Sequence, residues 1–174
     1  MIAWRKPVCL CLLIAGTATT AQADLFALID ARLEWMQDVA AFKHANDRPV
    51  EDLEREKVVI DKTLEQATLA GVDPDSAQLF FQVQIEAAKE IQSCWIERWS
   101  KDQTSVPESY ADLTSEVRPA LLDLGGQILD TLSNQPPVSS ASQADFLDTV
   151  NVECLSDDSR AKLFDSLTKV RHSQ

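Results

Sequence analysis

The sequence predicts an all-α fold, a helical bundle of three long helices with a helical C-terminal extension, and three observations carry that prediction. Only 4 of the 174 residues are glycine, and no stretch shows the strict alternation of a half-buried strand. Apolar side chains recur instead at the period of amphipathic helices. The periodic segments are separated by residues that cap helices or turn the chain. The length suits one domain with a real core, in which residues 24–100 form the helical core and residues 101–174 a helical extension of the same domain.

Residues 1–23 read as a signal peptide. Arg5 and Lys6 precede the apolar run Val8 to Ala15, and Ala21-Gln22-Ala23 is an A-x-A cleavage pattern, so cleavage is expected between Ala23 and Asp24. The expected location is periplasmic or secreted. The run is too short for a standard span, and no later stretch is long and apolar enough, so no membrane partner is expected after cleavage. Without Arg5 and Lys6, 14 basic residues face 28 acidic ones, a formal charge of −14. Such a surface repels nucleic acid and anionic lipid, and an anionic small molecule too unless a pocket reverses the sign.

The first helix is expected from about Asp24 to Ala45. Leu25, Ile29, Met36 and Val39 fall in one stripe at about 100° per residue, while Asp30, Glu34 and Asp38 project the other way as the solvent face. Arg32 and Lys43 lie inside the apolar stripe. A cation there needs an anionic partner, either a carboxylate of the protein or one of a ligand. Asn46-Asp47-Arg48-Pro49 ends this helix. The second runs from Asp52 as N-cap to Gly71 as C-terminal signal, with Arg55, Glu56, Val59, Ile60, Leu64 and Ala67 on one broad face. Asp73-Pro74 opens the third as N-cap and first helical residue. It reaches about Trp99, and its inward stripe carries two amides, Gln84 and Gln92, which need partners if buried.

Beyond a polar connection from Lys101 to Tyr110, Leu113 to Leu132 is expected as a helix bent or broken by Pro119 and Gly125-Gly126. Gln135-Pro136-Pro137 and Ser139 to Ser142 form a linker, followed by short helices near Gln143 to Val150 and Ser159 to Val170. Cys94 and Cys154 either form a disulfide or stand as two separate buried thiols. A bridge would close a loop of about 60 residues and contribute roughly 4 kcal/mol in the chain-entropy model. His44 and His172 read as surface residues, and Trp35, Trp95 and Trp99 as core or edge aromatics. No phosphate loop, CxxC pair or histidine cluster is present, so no metal site is expected.

Three helices thus place polar groups on apolar faces: Arg32 and Lys43; Asp52, Arg55 and Glu56; Gln84 and Gln92. One such group would mean little, because long cations snorkel and amides cap backbone. Together they point to a cation-rich pocket suited to a ligand with more than one carboxylate.

The runs Arg32-Leu-Glu-Trp-Met-Gln-Asp-Val-Ala-Ala-Phe-Lys43, Pro49-Val-Glu-Asp52-Leu-Glu-Arg55-Glu56 and Gln84-Ile-Glu-Ala-Ala-Lys-Glu-Ile-Gln92 resemble the all-helical chorismate mutases, in particular their exported gamma subclass. The resemblance covers about Leu25 to Trp99 and weakens beyond. It implies a cofactor-free rearrangement of chorismate to prephenate, with the small-molecule dicarboxylate as the partner and a homodimer left open. By similarity, Arg32 and Arg118 would grip carboxylates and Arg55 would bind or orient at the other end. Lys43 and Gln92 would donate to the ether oxygen, and Glu56 would accept from the ring hydroxyl. Asp52 would contact that hydroxyl region or hold the arginine and lysine. Ala88 stands where many relatives carry Ser or Thr near a substrate carboxylate, so that hydrogen bond is missing or comes from a backbone amide. Two other readings stay open, an isochorismate-pyruvate lyase on the same scaffold and a secreted helical binding protein without turnover.

Overall fold

A computed structural model of the chain describes residues 18–102 and 105–174. The charged and apolar parts of the expected signal peptide lie outside the described residues. Helix α1 spans Ala18–Glu34, α2 Met36–Ala45, α3 Leu53–Ala70, α4 Pro74–Lys101, α5 Arg118–Ser133, α6 Gln143–Thr149 and α7 Asp157–Leu167. The architecture is all-helical, as expected. Among the described residues, β pairing is limited to an isolated bridge between Val72 and His172, and no helix is long and apolar enough to cross a membrane.

The capping residues act as their chemistry dictates. Asp52 accepts from the Arg55 N–H at 3.0 Å and starts α3, and Gly71 ends it in the left-handed region at φ 78°. Asp73 accepts from the Ser76 N–H, with Pro74 as the first residue of α4. The expected first helix is divided at Trp35, which keeps right-handed dihedrals (φ −59°, ψ −13°). Its carbonyl accepts from the Val39 N–H at 3.1 Å, so α2 continues where α1 stops. Helix α1 also begins at Ala18, ahead of the expected cleavage point, and Gln22 accepts from the Ser142 hydroxyl.

The segment from Leu113 departs most from expectation. A wide π-type turn over Leu113–Val117, capped by Asp112, runs directly into α5. Pro119 sits in the first turn of α5 and, having no N–H, cannot extend the backbone pairing of the π-type turn that precedes it. The glycine pair does not break the helix. A Cβ at Gly125 would make an ordinary contact 3.6 Å from the Phe81 ring, and one at Gly126 would lie 3.3 Å from Gln66 Nε2, so only at Gly126 would a neighbouring side chain have to give way.

One core joins both parts of the chain. Leu25, Phe26, Ile29, Phe80, Phe81 and Ile91 pack in the same buried cluster as Ile128, Leu129, Phe146, Leu163 and Leu167. Helix α5 lies against α1 and α3, and α7 against α4. Two acids assigned to the solvent face of the first helix instead anchor this later half. Asp30 accepts from the Asn151 N–H at 3.0 Å and Asp38 from the Ala111 N–H at 2.8 Å. Burial, partly offset by the Asn151 hydrogen bond, raises the Asp30 pKa. Cys94 on α4 is bonded to Cys154, closing a loop of 60 residues with Cα atoms 5.8 Å apart. His172 is tied down as well, through a ring nitrogen 3.0 Å from the Leu132 carbonyl.

Candidate active site

A cavity of about 490 Å³ opens between α1–α2, α3, α4 and the start of α5. Arg32, Lys43, Asp52, Arg55, Glu56, Ala88, Gln92 and Arg118 all line it, as expected from the sequence, whereas Gln84, the other member of that polar set, is buried outside the lining. Each arrives there through its local structure. Arg32 and Lys43 share the buried stripe of the first two helices. Asp52 and Arg55 occupy the first turn of α3, Ala88 and Gln92 are one turn apart on α4, and the π-type turn delivers Arg118 at the head of α5.

Arg32 is 5% exposed. Its Nη1 donates to Gln84 Oε1 at 3.4 Å, its guanidinium carbon stands 5.5 Å from the Phe81 ring centroid, and its Nε has no partner among the described residues. Burial lowers its pKa to about 10. Lys43 is half-buried and donates to the Val50 carbonyl at 2.5 Å, which ties it to the loop that turns into α3. Burial lowers its pKa as well, with Asp52 and Glu56 pulling it back up and Lys89 pushing it further down. Arg55 is shifted downward by burial and by the facing charge of Arg118, with Asp52 opposing. Two arginines that raise each other's cost are a place where an anion is stabilised.

Glu56 points one oxygen, Oε2, at Lys89 Nζ 3.6 Å away, while Oε1 is buried and has no partner among the described residues. Gln92 is 5% exposed. Its Nε2 donates to the Ala88 carbonyl at 3.0 Å and lies 3.5 Å from Met36 Sδ, and its Oε1 has no partner among the described residues. Ala88 offers no side-chain donor. It sits in the middle of α4, where N–H groups are used by the helix itself, so a backbone amide cannot take over the missing hydroxyl's role.

Two lining residues carry chemistry that the sequence reading passed over. Lys89 sits next to Ala88, bridging Glu56 and Glu86 from the edge of the cavity. The signal was present, since Lys89 lies four residues after Ile85, which also lines the wall, but it was masked by the exposed glutamates around it. Gln66 reaches the same wall beside Gly125. A groove of about 580 Å³ adjoins the cavity, sharing Lys43, Asp52, Leu113 and Arg118 and adding Arg48.

The electrostatics set this region apart. The cavity wall holds six cations, Arg32, Lys43, Arg55, Lys62, Lys89 and Arg118, and two acids, Asp52 and Glu56, in a chain with net charge −12. Lys62 pairs outward with Glu65, and Lys89 with Glu86 and Glu56. Arg32, Lys43, Arg55 and Arg118 form no ion pair among the described residues. This arrangement can bind a compact dianion, orient it, and stabilise negative charge that develops inside it.

The family model for chorismate mutase type II matches residues 19–93. A monofunctional chorismate mutase of Enterobacter agglomerans is 31% identical over 164 residues, which span 90% of this chain and 88% of that protein. A secreted chorismate mutase of Mycolicibacterium smegmatis is 32% identical over 133 residues, 72% of this chain and 73% of that one. Among solved structures, the secreted chorismate mutase of Yersinia pestis aligns with a TM-score of 0.76 at 29% identity, over 86% of this chain and 98% of that one. The chorismate mutase of Burkholderia thailandensis gives 0.72 at 29% identity, over 85% and 99%. Relatedness along nine-tenths of the chain, with the same helical fold, establishes that the protein belongs to the chorismate mutase family.

Proposed function

We propose that the protein is an exported chorismate mutase and that the cavity between α1–α2, α3, α4 and α5 is where chorismate becomes prephenate. The observation that carries the reading is the set of four cations, Arg32, Lys43, Arg55 and Arg118, gathered in one cavity and forming no ion pair among the described residues. The reaction is an intramolecular rearrangement in which a carbon–carbon bond forms as the ether carbon–oxygen bond breaks. No atom is gained or lost, so the side chains have two tasks, to hold the dicarboxylate in a compact chair and to stabilise charge on the departing ether oxygen.

Arg32 and Arg118 grip the carboxylates, and Arg55 orients the other end of the substrate. Lys43 supplies a charged donor to the ether oxygen, and its attachment to the Val50 carbonyl limits its sweep. Gln92 supplies a neutral donor. One of its two Nε2 hydrogens stays on the Ala88 carbonyl, and the other exchanges the weakly accepting Met36 sulfur for the ether oxygen. The free Oε1 of Glu56 accepts from the ring hydroxyl. Asp52 caps α3 and so holds the backbone from which Arg55 projects. Every one of these groups comes from a single chain. Export is supported by the relatives named secreted chorismate mutases and by the signal-like sequence up to Ala23.

The test is product identification. The purified protein is incubated with chorismate and, separately, with isochorismate, and the products are resolved chromatographically. Prephenate from chorismate supports the reading. Salicylate with pyruvate from isochorismate would make it a lyase, and no product from either would make it a binding protein.

A further inference from the structure

Arg32 is the most deeply buried cation of the cavity, and its hydrogen-bonding partner is an amide. Gln84 projects from α4 and is fully buried at 0% exposure. Its Oε1 accepts from Arg32 Nη1 at 3.4 Å, at the long end for such a bond, and its Nε2 has no partner among the described residues. Phe81, one turn earlier on α4, supplies the ring beside the guanidinium. Gln84 is therefore in contact with the cation that the proposed function assigns to a substrate carboxylate, and it belongs to the apolar stripe of α4 that is otherwise core.

Three kinds of side chain would fit that volume, with different consequences. A carboxylate would form a buried ion pair with Arg32 and neutralise it in place. An apolar chain would leave the guanidinium without an acceptor and free to swing. An amide accepts one hydrogen bond, adds no charge and leaves the remaining N–H groups for another anion. We propose that Gln84 is a positioning residue that aims Arg32 while keeping it unneutralised, so that the substrate carboxylate is the first anion the guanidinium meets. The proposal rests on the reading of Arg32 as a carboxylate ligand.

The experiment compares Gln84→Glu, Gln84→Met and Arg32→Ala in the full protein by steady-state kinetics with chorismate and by thermal unfolding. Gln84→Glu keeps the reach of the side chain and is expected to raise the unfolding midpoint, because Arg32 gains a buried partner. The same variant is expected to raise KM about tenfold or more, equivalent to roughly 1.4 kcal/mol of binding, with a smaller change in kcat. Gln84→Met is expected to raise KM several-fold with no gain in midpoint. A residue with only a packing role would behave differently, lowering the midpoint in both variants with KM unchanged, and that result overturns the proposal. If Gln84→Glu does not fold, an unchanged KM in Gln84→Met overturns it alone. Arg32→Ala separates the two levels: full activity there removes the underlying reading, whereas lost activity beside a normal KM in Gln84→Glu removes only the role of Gln84.

Discussion

Cations on the outer surface of this protein and cations in its cavity live in opposite circumstances. Outside, Lys57, Arg98, Lys101, Lys162, Lys169 and Arg171 each have a carboxylate within ion-pairing distance, as does the half-buried Arg160. That is the expected state where acids outnumber bases 28 to 16. In the cavity, Arg32, Lys43, Arg55 and Arg118 have none among the described residues, although Arg32 is buried and Lys43 and Arg55 are half-buried, where an unpaired charge is dearer than on the surface. Arg48, exposed in the adjoining groove, forms no ion pair among the described residues either. Arg32, the most buried of them, has only an amide beside it, and Lys43 and Arg55 feel Asp52 only from beyond ion-pairing distance. A surface ion pair contributes about 0–1 kcal/mol, so the outer pairs do little for stability, whereas on the proposed function the inner cations carry a cost that a bound dianion would offset.

That contrast can be broken in several ways, taken here from the largest expected effect downward. Replacing Arg32 or Lys43 by alanine should reduce kcat/KM by about 10²–10³-fold, the usual loss for a preorganised charged donor, while circular dichroism shows the fold retained. Raising the pH should act next. Burial holds the Lys43 pKa below its ordinary 10.5, so its charged fraction falls earlier than that of a free lysine as pH rises. Turnover should therefore decline below pH 10.5 with helical content intact. On the acid side, activity should be nearly flat from mildly acidic to neutral pH, because the Gln92 amide donates without needing a proton; collapse by about pH 7.5 would remove Gln92 from that role.

Arg48→Ala tests the edge of the contrast. It should lower kcat/KM about two- to fivefold at low ionic strength, with the difference fading in high salt, as for a steering charge. A salt-independent loss would make Arg48 a direct ligand. Smallest of all, Arg98→Ala removes a cation already paired with Glu153 and placed 5.0 Å from the Trp95 ring centroid. Turnover should be unchanged and stability should fall by no more than about 1 kcal/mol. A large kinetic effect there would erase the distinction between the two populations.

Sequence reasoning reached the parts governed by local chemistry. Asp52, Gly71 and Asp73-Pro74 mark helix ends because their side chains or backbone freedom settle the matter within a few residues. The cation stripe was visible because Arg32 and Lys43 break an otherwise apolar period. What could not be seen depends on contacts distant in sequence. Asp30 and Asp38 looked like solvent acids, since nothing nearby announces that Asn151 and Ala111 will deliver N–H groups to them. The Gly125-Gly126 pair reads as a break because glycine weakens an isolated helix, whereas in the fold α5 runs through both and is held by its packing against α1 and α3. Gln84 was recognised as a buried amide in need of a partner, and only the fold, 52 residues away in sequence, identifies that partner as Arg32.

The most direct test of the account is a crystal structure of the protein with prephenate bound. The account predicts the two carboxylates within about 2.7–2.9 Å of guanidinium or ammonium nitrogens of the unpaired cavity cations, with Arg32 and Arg118 among them and Gln92 Nε2 turned from Met36 toward the substrate. Prephenate held elsewhere on the molecule, or in the cavity with its carboxylates turned away from Arg32 and Arg118, would contradict it.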